Sequence, residues 1–230
     1  MPGKKIPRKK LLKEPDEFIS TTGKILQFFR THRREVTLYG IIGLAVLLSG
    51  AAGYYFLLWQ EGKAQATQHQ ARQIYTEAFW ATSAPEKQKE KYQNALEKFR
   101  ESLSFYTRDK ISQMAHLYIG HCHYALKEYP QAVAAYTRCI SGPYRAIALD
   151  GIAHSFEAQG DFAQALEHYQ KNTEEERNPY FLEAILGVAR CYESLKQKPK
   201  ALEFYEKALT KKPPERIADF IQRKIGELKG

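Results

Sequence analysis

The chain has only three cysteines, Cys122, Cys139 and Cys191, among its 230 residues. So small and odd a number excludes a disulfide framework as the source of stability. The sequence also lacks a glycine-rich phosphate loop, a G-x-S-x-G elbow and an H-E-x-x-H pair. The common signatures of nucleotide binding, serine hydrolysis and zinc hydrolysis are therefore missing. Acids are in deficit, 26 against 35 Lys and Arg, for a net charge of +9. That excess is local. Residues 1–35 carry ten of the bases and four of the acids, which leaves only +3 over residues 61–230. The larger part of the chain is near neutral and has no character of a polyanion binder.

Charge is absent altogether from residues 36–59, VTLYGIIGLAVLLSGAAGYYFLLW. At about 1.5 Å per residue, a helix of that length crosses the roughly 30 Å hydrocarbon core of a bilayer. Tyr39 lies near one end and Tyr54, Tyr55 and Trp59 near the other, where amphipathic rings meet headgroups. A buried helix of a soluble domain would show a polar stripe over such a length. The basic flank is expected to stay in the cytoplasm, with everything after Trp59 outside, which in a bacterium is the periplasm. Ser49-Gly50-Ala51 resembles a signal cleavage site, but the apolar run continues beyond it to Trp59, so the anchor is expected to remain. No Cys follows the run, which argues against a lipoprotein anchor. Ala45, Ser49 and Gly53 stand four apart and offer a small-residue face on which a helix of a second copy or of another protein can pack.

Upstream, residues 1–13 are basic and interrupted by Pro2, Gly3 and Pro7, and are expected to be disordered. With no aromatics interleaved for base stacking, anionic lipid is the simpler partner than nucleic acid. Phe18, Ile19, Ile25, Leu26 and Phe29 recur at near-helical spacing and predict a short amphipathic helix, either lying on the inner leaflet or docking a membrane partner.

Residues 60–230 repeat. Ala132, Ala165 and Ala201 fall 33 and 36 residues apart, and each precedes a tyrosine by four: Tyr136, Tyr169 and Tyr205. Gly120, Ala153 and Ala189 keep the same intervals half-way along a preceding helical segment, and Pro213 closes the third unit. A small residue lets two helices of a hairpin approach, and a ring one turn beyond an alanine fills the seam. The pattern resembles the tetratricopeptide repeat, with its L-G-x2-Y first helix, A-x3-F second helix and period near 34. The expected fold is all-α, a single transmembrane helix followed by a solenoid of helical hairpins. A degenerate unit over 64–112 carries Ala95 and Phe99 in the same A-x3-aromatic relation after a polar stretch at 81–90. Repeats follow over about 113–145, 146–181 and 182–215, and a helix over 214–229 caps the array.

Chemistry is sparse. His121 and His123 are two apart, so on a helix they point about 200° from each other and cannot close on one metal ion. The three cysteines read as small buried hydrophobes, with Cys139 on a second helix. Glu174, Glu175 and Glu176 read as a solvated loop. No catalytic, metal or cofactor site is expected. The tetratricopeptide resemblance implies a concave face lined by the first helices, holding a peptide or helix of another protein. By register that face includes Leu117, His121, Tyr124, Asp150, His154, Glu157, Leu186, Arg190 and Glu193. Its mixed charge differs from the Lys/Arg clamp of some relatives.

The order of parts over residues 16–230 resembles the YfgM-like family of ancillary SecYEG translocon subunits. That resemblance implies a role beside the translocon, linking emerging periplasmic proteins to chaperones. The basic thirteen-residue start departs from the layout and leaves the role of the tail open. Two other classes fit the same order: a scaffold of another envelope machine (cell division, pilus or outer-membrane assembly), and an import receptor on an organelle surface.

Overall fold

The computed structural model describes residues 17–81, 85–105 and 108–230, and side chains from residue 23 onward. The expectations for residues 1–13 lie outside the described residues, as do the side chains of Phe18 and Ile19. Contacts divide the chain into two units, residues 1–57 and 58–230.

The first unit holds α1 (Glu17–Thr31) and the start of α2 (Arg33–Trp80). Only His32 interrupts the two, and the backbone bonds His32 N–H to Phe28 C=O and Val36 N–H to His32 C=O, both 2.9 Å, carry the helical pattern across it. Within α2 lies an apolar stretch long enough to cross a membrane, and none of it is buried. Ala45, Ser49 and Gly53 are exposed there, with nothing within 4 Å of the place a Cβ would take on Gly53.

The second unit takes the rest of α2, which ends at Trp80. Then come α3 (Pro85–Ser104), α4 (Asp109–Ala125), α5 (Tyr129–Thr137), α6 (Arg145–Ala158), α7 (Phe162–Asn172), α8 (Phe181–Ser194), α9 (Lys198–Thr210) and α10 (Glu215–Lys229). Among the described residues there is no strand. The polar stretch at 81–90 is shorter than expected, because α3 already starts at Pro85. Proline is at home in a first helical turn, and the Glu, Lys and Gln that follow favour helix without displaying an apolar period.

Helices pair in order: α2 with α3, α4 with α5, α6 with α7, α8 with α9, and α10 against α9. The three later hairpins turn in the same way. Glu128, Asp161 and Gln197 each donate a backbone N–H to the carbonyl five residues back, on His123, Phe156 and Tyr192, at 2.9, 3.0 and 2.9 Å. That bond needs one residue in the left-handed region just before the donor, and Lys127 (φ 62°), Gly160 (φ 78°) and Lys196 (φ 61°) supply it. The second interval is 36 rather than 33 because α7 is two residues longer than α5 and the α7–α8 loop is one residue longer than the loop after α5. Buried Asn172 holds that loop, donating Nδ2–H to Ala146 C=O at 3.0 Å and accepting at its own carbonyl from Asn178 Nδ2 at 2.9 Å.

The expected seam is the core. Phe99, Tyr136, Tyr169 and Tyr205 are buried, as are Ala95, Ala132, Ala165 and Ala201 one turn before them. Tyr136 lies in a slot between Gly120 of its own hairpin and Gly151 of the next, where a Cβ would come within 2.5–2.6 Å of its ring. Tyr169 meets Gly187 in the same way. Tyr118 holds the place that Gly151 and Gly187 hold later, and there the upstream ring, Phe99, stacks flat on it at 5.1 Å. Cys139 is buried but sits just past the end of α5, not on it, with its thiol 3.2 Å from Gln113 C=O.

Candidate partner-binding groove

The nine residues expected to face the groove are three positions taken three times. Leu117, Asp150 and Leu186 share one place on α4, α6 and α8; His121, His154 and Arg190 the next; Tyr124, Glu157 and Glu193 the third. The structure divides them. Leu117 is buried with Ala148 and Ile152 of α6, and Leu186 with Tyr205 and Ile221. Both belong to the core, because the next element, α6 for Leu117 and the capping helix α10 for Leu186, covers that flank of each first helix. This corrects the expectation that they face a partner. Asp150 stands in the same covered place, its side chain 14% exposed, as a carboxylate where its counterparts are leucines.

The other two positions line the concave side, and the seam tyrosines reach them from behind. Tyr136 Oη lies 2.8 Å from His121 Nδ1. Tyr169 Oη donates to Glu157 Oε2 at 2.7 Å and lies 2.8 Å from His154 Nδ1. Tyr205 Oη donates to Glu193 Oε2 at 3.0 Å. Each ring thus spans from a second helix to the groove face of a first helix.

Charge is organised between hairpins. Arg190 Nε and Nη2 donate to the two oxygens of Glu157, and Nη1 donates to Glu183 Oε1 at 3.2 Å. One step on, Lys224 of α10 donates to Glu193 Oε1 at 2.9 Å. Burial alone would raise the Glu157 carboxyl, but hydrogen bonds from His154 and Arg190 overcome it and hold the group well below the usual carboxylate range. Burial likewise opposes a charge on His154, and Glu157 and Asp150 outweigh it, so its imidazole is raised. At Asp150 burial wins: the carboxyl is pushed up to about 6 despite His154 Nε2 at 3.6 Å from Oδ2. Its Oδ1 is buried and has no hydrogen-bond partner. His121 is pushed down to about 4 by burial and stays neutral at physiological pH.

Two cavities open on this face. One, of about 600 Å³, is lined by Tyr75, Phe79, His121, Tyr124, Ile147 and Asp150 among others; its neighbour, of about 360 Å³, is lined by Tyr124, His154, Glu157, Glu183 and Arg190. Six of the nine expected residues therefore meet there. Sequence reasoning missed Tyr75, Phe79, Ile147, Tyr180 and Glu183. Glu183 was within reach, being seven residues before Arg190 on α8 and so on the same face. Tyr75 was not, because its unit keeps no common interval with the repeats. His121 and His123 do diverge: His123 Nδ1 bonds Glu128 at 2.6 Å and its Nε2 lies 3.3 Å from Arg100.

The profile of the tetratricopeptide repeat-like domain family matches residues 27–230. The chain belongs to that family. Domains of this kind generally bind other proteins and serve as interaction scaffolds. Among curated proteins no sequence matches the chain significantly. Of solved structures, PilF of Pseudomonas aeruginosa is similar at 15% identity, covering 72% of this chain and 69% of that one, with a TM-score of 0.55. The nearly identical TPR-like repeats of a Podosopora anserina protein designated a kinesin light chain are similar at 15% identity, covering 73% and 86%, also at 0.55. MamA is similar at 22% identity over 58% and 78%, at 0.47. At such identity the likenesses to PilF and to the Podosopora anserina repeats speak for the tetratricopeptide-type fold alone.

Proposed function

We propose that this chain is a membrane-anchored, non-catalytic scaffold whose tetratricopeptide-like domain grips other proteins in the groove of α4, α6 and α8. The observation that carries the groove reading is that six first-helix residues, from His121 to Arg190, line two adjoining cavities instead of being scattered over the surface. The anchor reading is supported by the uncharged, exposed residues 36–59 and by the basic flank before them. In this reading the N-terminus is cytoplasmic, the repeats are periplasmic in a bacterial envelope, and the protein stands beside the translocon, passing emerging proteins to chaperones.

The test is photo-crosslinking in cells from a photoreactive residue replacing Tyr124, with mass spectrometry of the adducts. Adducts with translocon subunits, secreted proteins or chaperones are expected. Adducts confined to another envelope machine would keep the scaffold and move its place of work; no protein adduct at all would overturn the groove reading. Sidedness is read separately, by thiol labelling of a cysteine placed at the exposed Lys200 in intact cells.

A further inference from the structure

We propose that the cavity between α4 and α6 takes a large apolar side chain of a partner polypeptide together with an adjacent cationic group, the cation meeting Asp150. This deepens the groove reading and rests on it.

The argument starts from the ladder of charge along the concave face. Lys224 of α10 pairs with Glu193 of α8, and Arg190 of α8 with Glu157 of α6, each a cation bonded to an acid two helices earlier. The same step between α6 and α4 sets His154 opposite Tyr124, which has no charge to offer. The third rung is missing, and there the face opens into the cavity of about 600 Å³. A place where a repeated device lapses is where function is expected to override local economy.

The lining then says what fits. Tyr75, Phe79, Tyr124 and Ile147 supply rings and an aliphatic edge around a volume that accommodates one large side chain, and Phe79 is 55% exposed. Asp150 lines the same cavity. It holds a place where two sister hairpins bury leucine, and one of its oxygens has no hydrogen-bond partner. A buried carboxylate in that state is costly alone and is relieved by an arriving N–H or ammonium donor. The fixed cation nearby is already engaged, since Arg190 is bound by Glu157 and Glu183. Asp150, Glu157 and Glu183 thus face His154 and Arg190, acids in excess, so the face favours a basic segment.

Full-length protein in mild detergent, titrated into four fluorescein-labelled twelve-residue Gly/Ser peptides, tests this by fluorescence anisotropy. The peptides differ in a central pair: Phe-Lys, Phe-Glu, Ala-Lys or Ala-Glu. Phe-Lys is expected to bind at least tenfold tighter than either single replacement. Asp150→Asn, which removes a carboxylate the fold does not need, is expected to shrink the Phe-Lys over Phe-Glu preference below threefold while keeping Phe over Ala. Equal binding of Phe-Lys and Phe-Glu, or an unchanged preference in the variant, overturns the inference. Protein adducts from position 124 without that preference would do so and leave the groove reading standing; absence of both adducts and peptide binding would remove both.

Discussion

Arg190 of α8 holds Glu157 of α6 by two parallel bonds, Nε to Oε1 at 2.9 Å and Nη2 to Oε2 at 3.1 Å. The pair ties one hairpin to the next across the concave face. Both side chains are mostly buried, 28% and 21% exposed, so the interaction is not a surface pair of negligible worth. Arg190→Ala strands a buried carboxylate and is expected to cost about 2–3 kcal/mol, read as a lower urea midpoint at unchanged slope. Arg190→Lys keeps the charge and loses the fork, and is expected to cost about 1 kcal/mol.

The slots for the seam tyrosines give a second prediction. Gly187→Ala places a methyl 2.6 Å from the Tyr169 ring, and the buried ring has little room to retreat. Such overpacking is expected to cost about 1–3 kcal/mol. Gly226 on α10 has nothing within 4 Å of its notional Cβ, so Gly226→Ala is expected to stabilise by about 0.5–1 kcal/mol through helix propensity. Opposite signs for the same substitution, measured by thermal or urea denaturation, test the packing directly.

Lys196 turns the α8–α9 hairpin at φ 61°, where Gly160 does the same work two helices earlier. A side chain in the left-handed region costs roughly 1–2 kcal/mol. Lys196→Gly is expected to raise stability by about 0.5–1 kcal/mol after the added entropy of the unfolded chain is counted. A loss of stability would mean that the lysine side chain makes contacts that matter more than its backbone strain.

Asp150 sets a pH dependence of unusual sign for a carboxylate. Its folded value of about 6 lies above the ordinary aspartate value of 3.8, so between them the folded state binds more protons than the unfolded. Stability on its account falls as pH rises through that window, and the penalty is complete above it, at about 2–3 kcal/mol. Asp150→Asn is therefore expected to be more stable than the parent at pH 7.5, with the difference mostly gone near pH 4. Glu157 acts in the reverse sense. Its folded value is depressed, so its stabilisation is present above the ordinary carboxylate range and is lost only as acid titrates it. Paired urea melts of parent and variant at the two pH values read the Asp150 contribution alone.

The hairpins were legible because their signal is covalent and periodic: Ala95, Ala132, Ala165 and Ala201, each with its ring four residues on, are all buried as the spacing requires. What spacing could not convey is which flank of a first helix the next hairpin covers. That is why register alone assigns Leu117 and Leu186 to the groove although they lie in the core, and why Asp150 lines the cavity yet keeps a leucine's surroundings. The start of α3 was invisible to apolar periodicity because Lys87, Gln88, Lys89 and Glu90 form helix by propensity and not by an apolar face. Tyr75 and Phe79 entered the site from a unit with no common interval. The bonds of the seam tyrosines to His121, Glu157 and Glu193 were hidden for a simpler reason: a ring chosen to fill space also carries a hydroxyl.

Those hydroxyls make the two layers of the solenoid a single mechanical object. Any guest that draws His121 or His154 toward itself also tugs Tyr136 or Tyr169, and with them the packing of α5 and α7 on the convex side. Occupation of the inner face should accordingly be readable from the back of the molecule, as slower hydrogen exchange in helices that no guest ever touches.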